Sequence, residues 1–313
     1  MDPVTHSLIG LGVASFSGNP LSFTNPIYIG SLLGSLAPDF DFILQAKGDV
    51  FYLRHHRGVS HSLPGSVMLA GALSWLLTFI FPGTGYWSLF IWTWLGTLSH
   101  CLIDVFNSYG SELLWPFYRK KVSCNLLNIF DPYLFILLSI LLYAGGKHPI
   151  IRNLSLLSGL AYLVFRFGIR WRIRKIFNGK WGTQPKRILI MPALKGSWNW
   201  DVFIEEGKRF IIGQVSSFSL TFKLRQKLWK QQNSLIKIAL ESKLGKLFSE
   251  FTPLFHVSHQ RIEKGHLVQF FDLRFHFKQA FLHTGTAIFN EENVLVEEIF
   301  SPYLGKRKVK LVG

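Results

Sequence analysis

Seven histidine and aspartate side chains in the first third of the chain have the types and spacing of a metal site. Each is predicted to lie at a helix end or within an apolar run, so helix packing could bring them together. Imidazole nitrogens and carboxylate oxygens without a usable thiolate suit zinc, manganese or iron in hydrolytic chemistry. Each residue taken alone also has an ordinary explanation, as a structural histidine or a lipid-headgroup anchor. The set comprises His6, Asp39, Asp41, His56, His61, His100 and Asp104.

The pair His100 and Asp104 has the spacing of two ligands on one helix face. Residues four apart lie one above the other on an α-helix, as paired histidines do in helical zinc sites. The alternative is a histidine–carboxylate hydrogen bond inside a helix bundle. Because ionisable groups within a membrane are costly and usually functional, we favour metal ligation.

Asp39 and Asp41 are two residues apart, a spacing that directs them to different sides of a continuous helix. Pro38 precedes them and predicts a break, since proline lacks the backbone N–H that a helix needs. A bent backbone would direct both carboxylates inward, where one of them could bridge two metal ions. The alternative is a solvated helix end that carries two acids.

The segment HHRGVSHS occupies residues 55–62, directly before a stretch without charged residues at 63–81. Ser60 and Ser62 are predicted to be helix caps ahead of Pro64 rather than nucleophiles, because no separate base and orienting acid accompanies either serine. His55 duplicates His56, and the sequence leaves its role open.

The composition favours a membrane protein. Hydrophobic residues make up 49% of the chain, charged residues 17%, and the mean hydropathy is +0.25. A net charge of +16 would also suit a nucleic-acid binder. The basic residues mostly lie beside apolar runs or in the last third, where anionic lipid headgroups explain them. We therefore expect membrane lipids as partners and no direct contact with nucleic acid, while a protein partner stays open.

Four segments are predicted to enter or cross the membrane. Residues 63–81 and 86–103 have the length of a spanning helix, about 20 apolar residues. Residues 132–146 and 150–167 form a shorter pair, either tilted spans or helices that only enter the bilayer. Residues 26–44, interrupted by glycines and Pro38, are more typical of a partly buried or re-entrant helix.

Asp2 and Pro3 predict a helix start, with Asp2 as the cap of a short helix over residues 3–16. Basic residues near the span ends place both the N-terminal segment and the tail on the cytoplasmic side. On this topology the candidate ligands converge at one membrane face.

From about Asn178 the composition changes to spread lysines and strand-like segments, KRILIM, RFIIGQVSSFSLTF and LVQFFDLRFHF. Residues 234–251 are predicted to form one amphipathic helix between them. The expected fold class is an α-helical integral membrane domain, with about four spans plus N-terminal interfacial or re-entrant helices, followed by a small soluble α+β domain. The expected domains are residues 1–177, which carry the metal site, and 178–313, which are cytoplasmic.

An ordered series of motifs resembles one known family. DPVTHSLIG at the start, APDFD at 37–41, HRGVSHS at 56–62, SHCLIDVFNSYG at 99–110 and LLWPF at 113–117 look like the YdjM-like inner-membrane-associated metal-dependent hydrolases, also labelled LexA-binding. The motifs cover roughly residues 1–135, and their order is more specific than any one of them. A more distant similarity links the motifs to zinc-dependent phospholipase C domains, by analogy only, and favours phosphoester or lipid substrates.

Carried over by position, the resemblance implies the seven residues named above as metal ligands, with His56 rather than His55 matching the HRG motif. Arg57 stands where a guanidinium could hold an anionic substrate oxygen, although extension to a lipid phosphate explains it equally well. Asn107 and Tyr109, one turn beyond Asp104, are candidate substrate or supporting contacts, with helix-end packing as the alternative.

These residues lead to two hypotheses of different classes. The first is a multi-pass inner-membrane hydrolase in which a divalent metal, zinc before manganese or iron, activates water against a phosphoester or lipid-like substrate. Its candidate catalytic residues are Asp39, Asp41 and Asp104, one of which would serve as base. The second is a non-enzymatic membrane regulator or scaffold with a structural metal or polar site.

Overall fold

The structure is a computed structural model that describes residues 1–145, 148–181, 187–194, 196–252, 254–274, 276–277, 280–302 and 308–311. The chain divides into two compact units. One comprises Met1–Lys47, His55–Lys175 and Ile190–Asn199; the other comprises Gly48–Arg54, Ile176–Leu189 and Trp200–Gly313. A boundary between independent domains at residues 177 and 178 stays a prediction.

The N-terminal part of the chain is helical. It forms α1 (Pro3–Ala14), α2 (Pro26–Leu36), α3 (Asp49–His55), α4 (Leu63–Ile80), α5 (Tyr86–Phe106), α6 (Pro132–Gly145) and α7 (Pro149–Trp181), with 3-10 helical segments at Ser15–Ser17, Ala37–Lys47 and Val59–His61. As predicted, Asp2 caps the first helix, because its carboxylate accepts a hydrogen bond from Thr5 N at 3.0 Å.

Within the described residues, four helical segments are long and apolar enough to cross a membrane, by length and composition. They are Pro26–Lys47, Leu63–Ile80, Tyr86–Phe106 and Pro149–Gly179. The predicted helices at 63–81 and 86–103 are thus confirmed.

Residues 150–167, predicted to be a tilted span or a helix that only enters the bilayer, lie within the span-length segment Pro149–Gly179. The apolar helix Pro132–Tyr143 is shorter than these four segments, and the predicted end of that helix at residue 146 lies outside the described residues. Residues 26–44, predicted to be a partly buried or re-entrant helix rather than a clean span, belong to a segment with the length and composition of a span. That segment changes from α-helix to 3-10 helix at Ala37, which confirms the break predicted from Pro38.

Helices α2 and α5 cross at a contact lined by glycine. A Cβ atom on Gly34 would lie 2.2 Å from Thr93 O, and one on Gly96 would lie 2.2 Å from Ser31 O. Both distances are far below van der Waals contact, so the backbones approach this closely only because these residues lack side chains. Helix α1 joins the same bundle, since Ser31 Oγ donates to Gly10 O at 2.7 Å.

The C-terminal part of the described chain contains three sheets. Its strands are β1 (Arg187–Pro192), β2 (Asn199–Glu206), β3 (Arg209–Ser216), β4 (Phe222–Trp229), β5 (Phe255–Ile262), β6 (Gly265–Asp272), β7 (His276–Phe277), β8 (Ala280–Phe281), β9 (Thr284–Phe289), β10 (Leu295–Ser301) and β11 (Val309–Lys310). One sheet has the order β1-β2-β3-β4 and another β11-β10-β9-β6-β5, while β7 pairs with β8. The expected fold class, a helical membrane part followed by an α+β part, is confirmed.

The single helix predicted over residues 234–251 is wrong in one respect. The structure has two helices, α8 (Ser234–Glu241) and α9 (Lys243–Phe251). Ser242 separates them because its extended backbone ends the first helix, and its hydroxyl caps the second by accepting from Gly245 N at 3.3 Å. Both helices pack on the five-stranded sheet around buried Phe248 and Phe270.

Substitution of Gly96 tests the close contact between α2 and α5. We expect Gly96→Ala to destabilise the protein by about 1–3 kcal/mol, because the added methyl group must displace the Ser31 carbonyl. Gly168→Ala is the matched control, since it lies in α7 and a Cβ there has nothing within 4 Å. Thermal unfolding in detergent measures both variants, and equal midpoints for the two would contradict the packing account.

Candidate metal centre

Four of the predicted ligands come together in one group. Asp39, His61, His100 and Asp104 each offer a ligand atom, and these atoms all lie within 4.8 Å of one another. The 3-10 segment after α2 provides Asp39, the 3-10 turn before α4 provides His61, and α5 provides the pair His100 and Asp104. The last three side chains are fully buried, whereas that of Asp39 is 28% exposed.

The spacing of these atoms fits one small divalent ion. His61 Nε2 lies 3.1 Å from His100 Nε2. Asp39 Oδ1 lies 3.3 and 3.5 Å from these two nitrogens, and Asp104 Oδ2 lies 3.6 and 3.8 Å from them. Tetrahedral ligands at about 2.0–2.1 Å from zinc are themselves about 3.3–3.4 Å apart. The donor set therefore fits zinc in both chemistry and spacing.

The hydrogen bonds of His100 fix its tautomer. His100 Nδ1 lies 2.6 Å from Ser35 O. A carbonyl oxygen only accepts hydrogen bonds, so Nδ1 carries the proton and, in the neutral ring, Nε2 has a free lone pair. Metal-binding histidines generally donate their other N–H in this way to a carbonyl or carboxylate.

Ser60 fixes the tautomer of His61 in the same way. Ser60 Oγ donates to Asp41 Oδ2 at 3.2 Å, so its oxygen is left to accept from His61 Nδ1 at 3.0 Å. Burial lowers the pKa of His61 to about 4, and the ring is neutral at pH 7. Its Nε2 then also has a free lone pair. His61 Nε2 and His100 Nε2 lie 3.1 Å apart, close enough for one ion to bind both.

A second group is formed by Asp39, Asp41 and His56. His56 Nδ1 lies 2.8 Å from Asp41 Oδ1. The His56 side chain is 23% exposed, so this group lies nearer the surface than the first. Asp39 belongs to both groups. Asp39 Oδ1 thus faces His61 and His100, whereas Asp41 Oδ1 faces His56 and its Oδ2 lies 3.7 Å from His61 Nδ1.

His6 lies beside these groups rather than within them. Its ring stacks on that of His100, with centroids 3.6 Å apart, and its Nε2 lies 3.5 Å from Asp104 Oδ1. Nε2 is also 2.8 Å from the Met1 amino nitrogen, and that amino group contacts Asp104. Burial lowers the pKa of His6 to about 3, so the ring is neutral at pH 7. Its assignment as a ligand stays a prediction.

Arg57 is a buried link between the two groups. Its Nη2 lies 3.1 Å from Asp104 Oδ2, its Nη1 donates to Asn107 Oδ1 at 3.0 Å, and its backbone N donates to Asp41 Oδ2 at 3.0 Å. The backbone adopts a φ of 63°, which a non-glycine residue rarely holds. These contacts place the guanidinium inside the site rather than at lipid headgroups.

Asn107 and Tyr109 lie next to this arginine. Asn107 Nδ2 donates to Asp104 Oδ1 at 2.9 Å, and its Oδ1 accepts from Tyr109 N at 2.8 Å. The Tyr109 ring lies 5.4 Å from the Arg57 guanidinium carbon. The substrate-binding role of all three residues stays a prediction, and the contacts show that Arg57 and Asn107 hold Asp104 in position.

Sequence reasoning missed two groups that orient the histidines. Ser35 acts through its backbone carbonyl, which leaves no signature in the sequence. Ser60, predicted to be a helix cap, instead contacts Asp41 and His61. Ser62 does cap α4 as predicted, since its hydroxyl accepts from Gly65 N at 3.0 Å. His55 is exposed and belongs to neither ligand group.

The fold and the cluster together define a helical membrane-type protein with a buried histidine–aspartate group that could hold a metal ion. Residues 1–173 match the family described as YdjM inner membrane protein. Because this match covers more than half of the chain, the protein belongs to the YdjM family. The expected resemblance is confirmed, whereas the LexA-binding label stays an expectation.

Two further comparisons concern the rest of the chain. Residues 234–309 match the YfhP C-terminal alpha/beta plait domain. The chain is 27% identical over 288 residues to a Bacillus subtilis (strain 168) protein described as "Uncharacterized protein YfhP", and the match covers 89% of this chain and 88% of that protein. No solved structure matches the chain significantly.

Replacement of Arg57 tests its link to the ligands. We expect Arg57→Lys to weaken zinc binding by about 10–100-fold, because an ammonium group cannot donate to Asp104 and Asn107 in two fixed directions. Arg54→Lys is the matched control, since Arg54 lies in the same segment and forms an exposed pair with Glu250 at 2.8 Å. Chelator competition measures both affinities. Wild-type affinity in Arg57→Lys would contradict the positioning role.

Proposed function

We propose that this protein is a membrane-bound metal-dependent hydrolase that acts on a phosphoester or lipid-like substrate at the cytoplasmic face of the inner membrane. One observation carries the proposal. The Nε2 atoms of His61 and His100 face each other at 3.1 Å, and the carboxylates of Asp39 and Asp104 lie beside them. Hydrogen bonds to Ser35 and Ser60 leave both nitrogens as electron-pair donors.

A divalent ion held by these residues would lower the pKa of bound water and polarise a phosphoryl or carbonyl oxygen. The protein's own residues divide the remaining work. Asp104 is fully buried and held by Arg57, so it fixes the inner side of the site. Asp39 is 28% exposed and lies on the open side, next to His56 and Asp41. Asp39 and Asp41 are therefore the carboxylates on the open side, and the one not fully engaged by metal would accept the proton.

The surface beside the open side is apolar. Phe40 and Phe42, which alternate with Asp39 and Asp41 along the 3-10 segment, are 49% and 54% exposed, and Val59 is 48% exposed. Exposed apolar side chains next to buried ionic groups suit an amphiphile whose polar head enters the site while its chain contacts lipid-facing residues. This arrangement supports a lipid-like substrate, with membrane lipids as partners.

The membrane location rests on two findings and one prediction. The family is described as an inner membrane protein, and four helical segments have the length and composition of spans. The distribution of basic residues predicts a multi-pass topology with the site on the cytoplasmic side.

A non-enzymatic regulator or scaffold is the second candidate. One observation favours it. The group of Asp39, His61, His100 and Asp104 offers four protein donors, and structural zinc sites are closed in this way by four protein ligands. On this account the ion or a polar network holds the helix bundle together, and the basic tail binds a protein or lipid partner.

Hydrolysis assays separate the two candidates. The purified protein in detergent, supplied with zinc, is tested on bis(4-nitrophenyl) phosphate and on a 4-nitrophenyl acyl ester. We expect a chelator to abolish hydrolysis. We also expect the rate to fall at least about 100-fold in His100→Ala, because this variant lacks one of the four donors that include Asp39, His61 and Asp104. His148→Ala, an exposed histidine outside both groups, is the control.

Equal rates in His100→Ala and wild type would remove the enzyme hypothesis. Tight zinc binding without hydrolysis of either ester or of phospholipid vesicles would favour the scaffold.

A further inference from the structure

We propose that the cluster binds two metal ions that differ in accessibility, with Asp39 as the bridging carboxylate. This inference rests on the proposed metal centre and adds the number of ions, the division of ligands between them and the identity of the exchangeable position. The inner ion is assigned to His61, His100, Asp104 and Asp39. The outer ion is assigned to Asp39, Asp41 and His56.

The inner position is fully provided by the protein. Three of its four side chains have no exposed surface, and their donor atoms have the spacing of ligands around one ion. Arg57 and Asn107 hold Asp104 from behind, and Ser35 holds His100. An ion here would be closed off from solvent and would exchange slowly.

Asp39 is the residue that belongs to both groups within the described part of the chain. Its Oδ1 is the oxygen that lies 3.3 Å from His61 Nε2 and 3.5 Å from His100 Nε2. A carboxylate has a second oxygen, and bridging carboxylates use the two oxygens on two ions. Ions in such paired sites lie about 3.5–4 Å apart.

The outer position is oriented by contacts that do not use its ligand atoms. Asp41 Oδ2 accepts hydrogen bonds from Arg57 N at 3.0 Å and Ser60 Oγ at 3.2 Å, which leaves Asp41 Oδ1 facing His56 Nδ1 at 2.8 Å. Neighbouring ligands at about 2.0–2.1 Å from one ion and at right angles are about 2.9 Å apart. The His56–Asp41 separation therefore fits two ligands of one ion.

The two metal positions differ in how many coordination positions the protein leaves open. The outer group has three protein donors, and two of them, Asp39 and His56, are 28% and 23% exposed. An ion with three protein ligands keeps coordination positions for water or substrate. The outer ion is thus the one that a phosphoester oxygen would meet, while the inner ion holds the site together.

Metal stoichiometry of the full-length protein in detergent tests this division. After loading with zinc and desalting at limiting free metal, elemental analysis should give about two ions per chain in wild type. His56→Ala and Asp41→Asn should retain about one ion, and His56→Gln guards against a general loss of structure. His55→Ala should keep both ions, because this neighbouring histidine belongs to neither group.

Loading with manganese provides a readout that misfolding alone would not mimic. Two manganese ions that share Asp39 should give a spin-coupled electron paramagnetic resonance signal in wild type and in His55→Ala. The signal should become that of an isolated ion in His56→Gln. One ion per chain in wild type, or an unchanged coupled signal in His56→Gln, would overturn the proposal.

These outcomes are independent of the proposed hydrolase activity. Two ions without hydrolysis would support the paired site and contradict the hydrolase proposal. One ion with hydrolysis would contradict the paired site and support the hydrolase proposal.

Discussion

The site depends on two imidazole nitrogens that face each other at the centre of the cluster. His61 Nε2 and His100 Nε2 lie 3.1 Å apart, and each ring has its other nitrogen committed as a donor, to Ser60 and to the Ser35 carbonyl. A cation between them would be bound by both Nε2 lone pairs, and Asp39 and Asp104 supply the negative charge that a divalent ion needs.

The helix bundle is built so that this arrangement forms. Glycine at positions 34 and 96 allows α2 and α5 to approach at backbone distance, which brings the carbonyl of Ser35 within 2.6 Å of His100. The change from α-helix to 3-10 helix at Ala37 then directs Asp39 back to the same place. Close packing and the helix break therefore serve the site as well as the fold.

Much of the site follows from the sequence. The motif order and the i, i+4 spacing identify His100 and Asp104, and Pro38 predicts the break that lets Asp39 turn inward. The membership of Asp39 in both groups and of Asp41 in only one does not follow, because it depends on the tight 3-10 geometry. Nor does the role of Arg57, whose burial depends on contacts with α5 that are distant in sequence.

The strands of the α+β part are harder to predict from the sequence than the site residues are. β2 is buried at five consecutive positions of its eight, so it lacks the alternation that marks a strand with one exposed face. The register of β10 shifts between Leu295 and Glu297, which interrupts its alternation as well. The segments KRILIM, RFIIGQVSSFSLTF and LVQFFDLRFHF thus identify β1, β3 and β6, whereas β2, β5 and β9 lie outside them.

The central claim is that His61 and His100 bind one ion together through Nε2. X-ray absorption at the zinc edge, on protein loaded with one equivalent of zinc, tests it most directly. The account predicts a first shell of nitrogen and oxygen at about 2.0–2.1 Å and outer-shell scattering from two imidazole rings. His61→Ala and His100→Ala should each reduce this imidazole scattering. A shell of oxygen alone without imidazole scattering, or a sulfur ligand at about 2.3 Å, would contradict the claim.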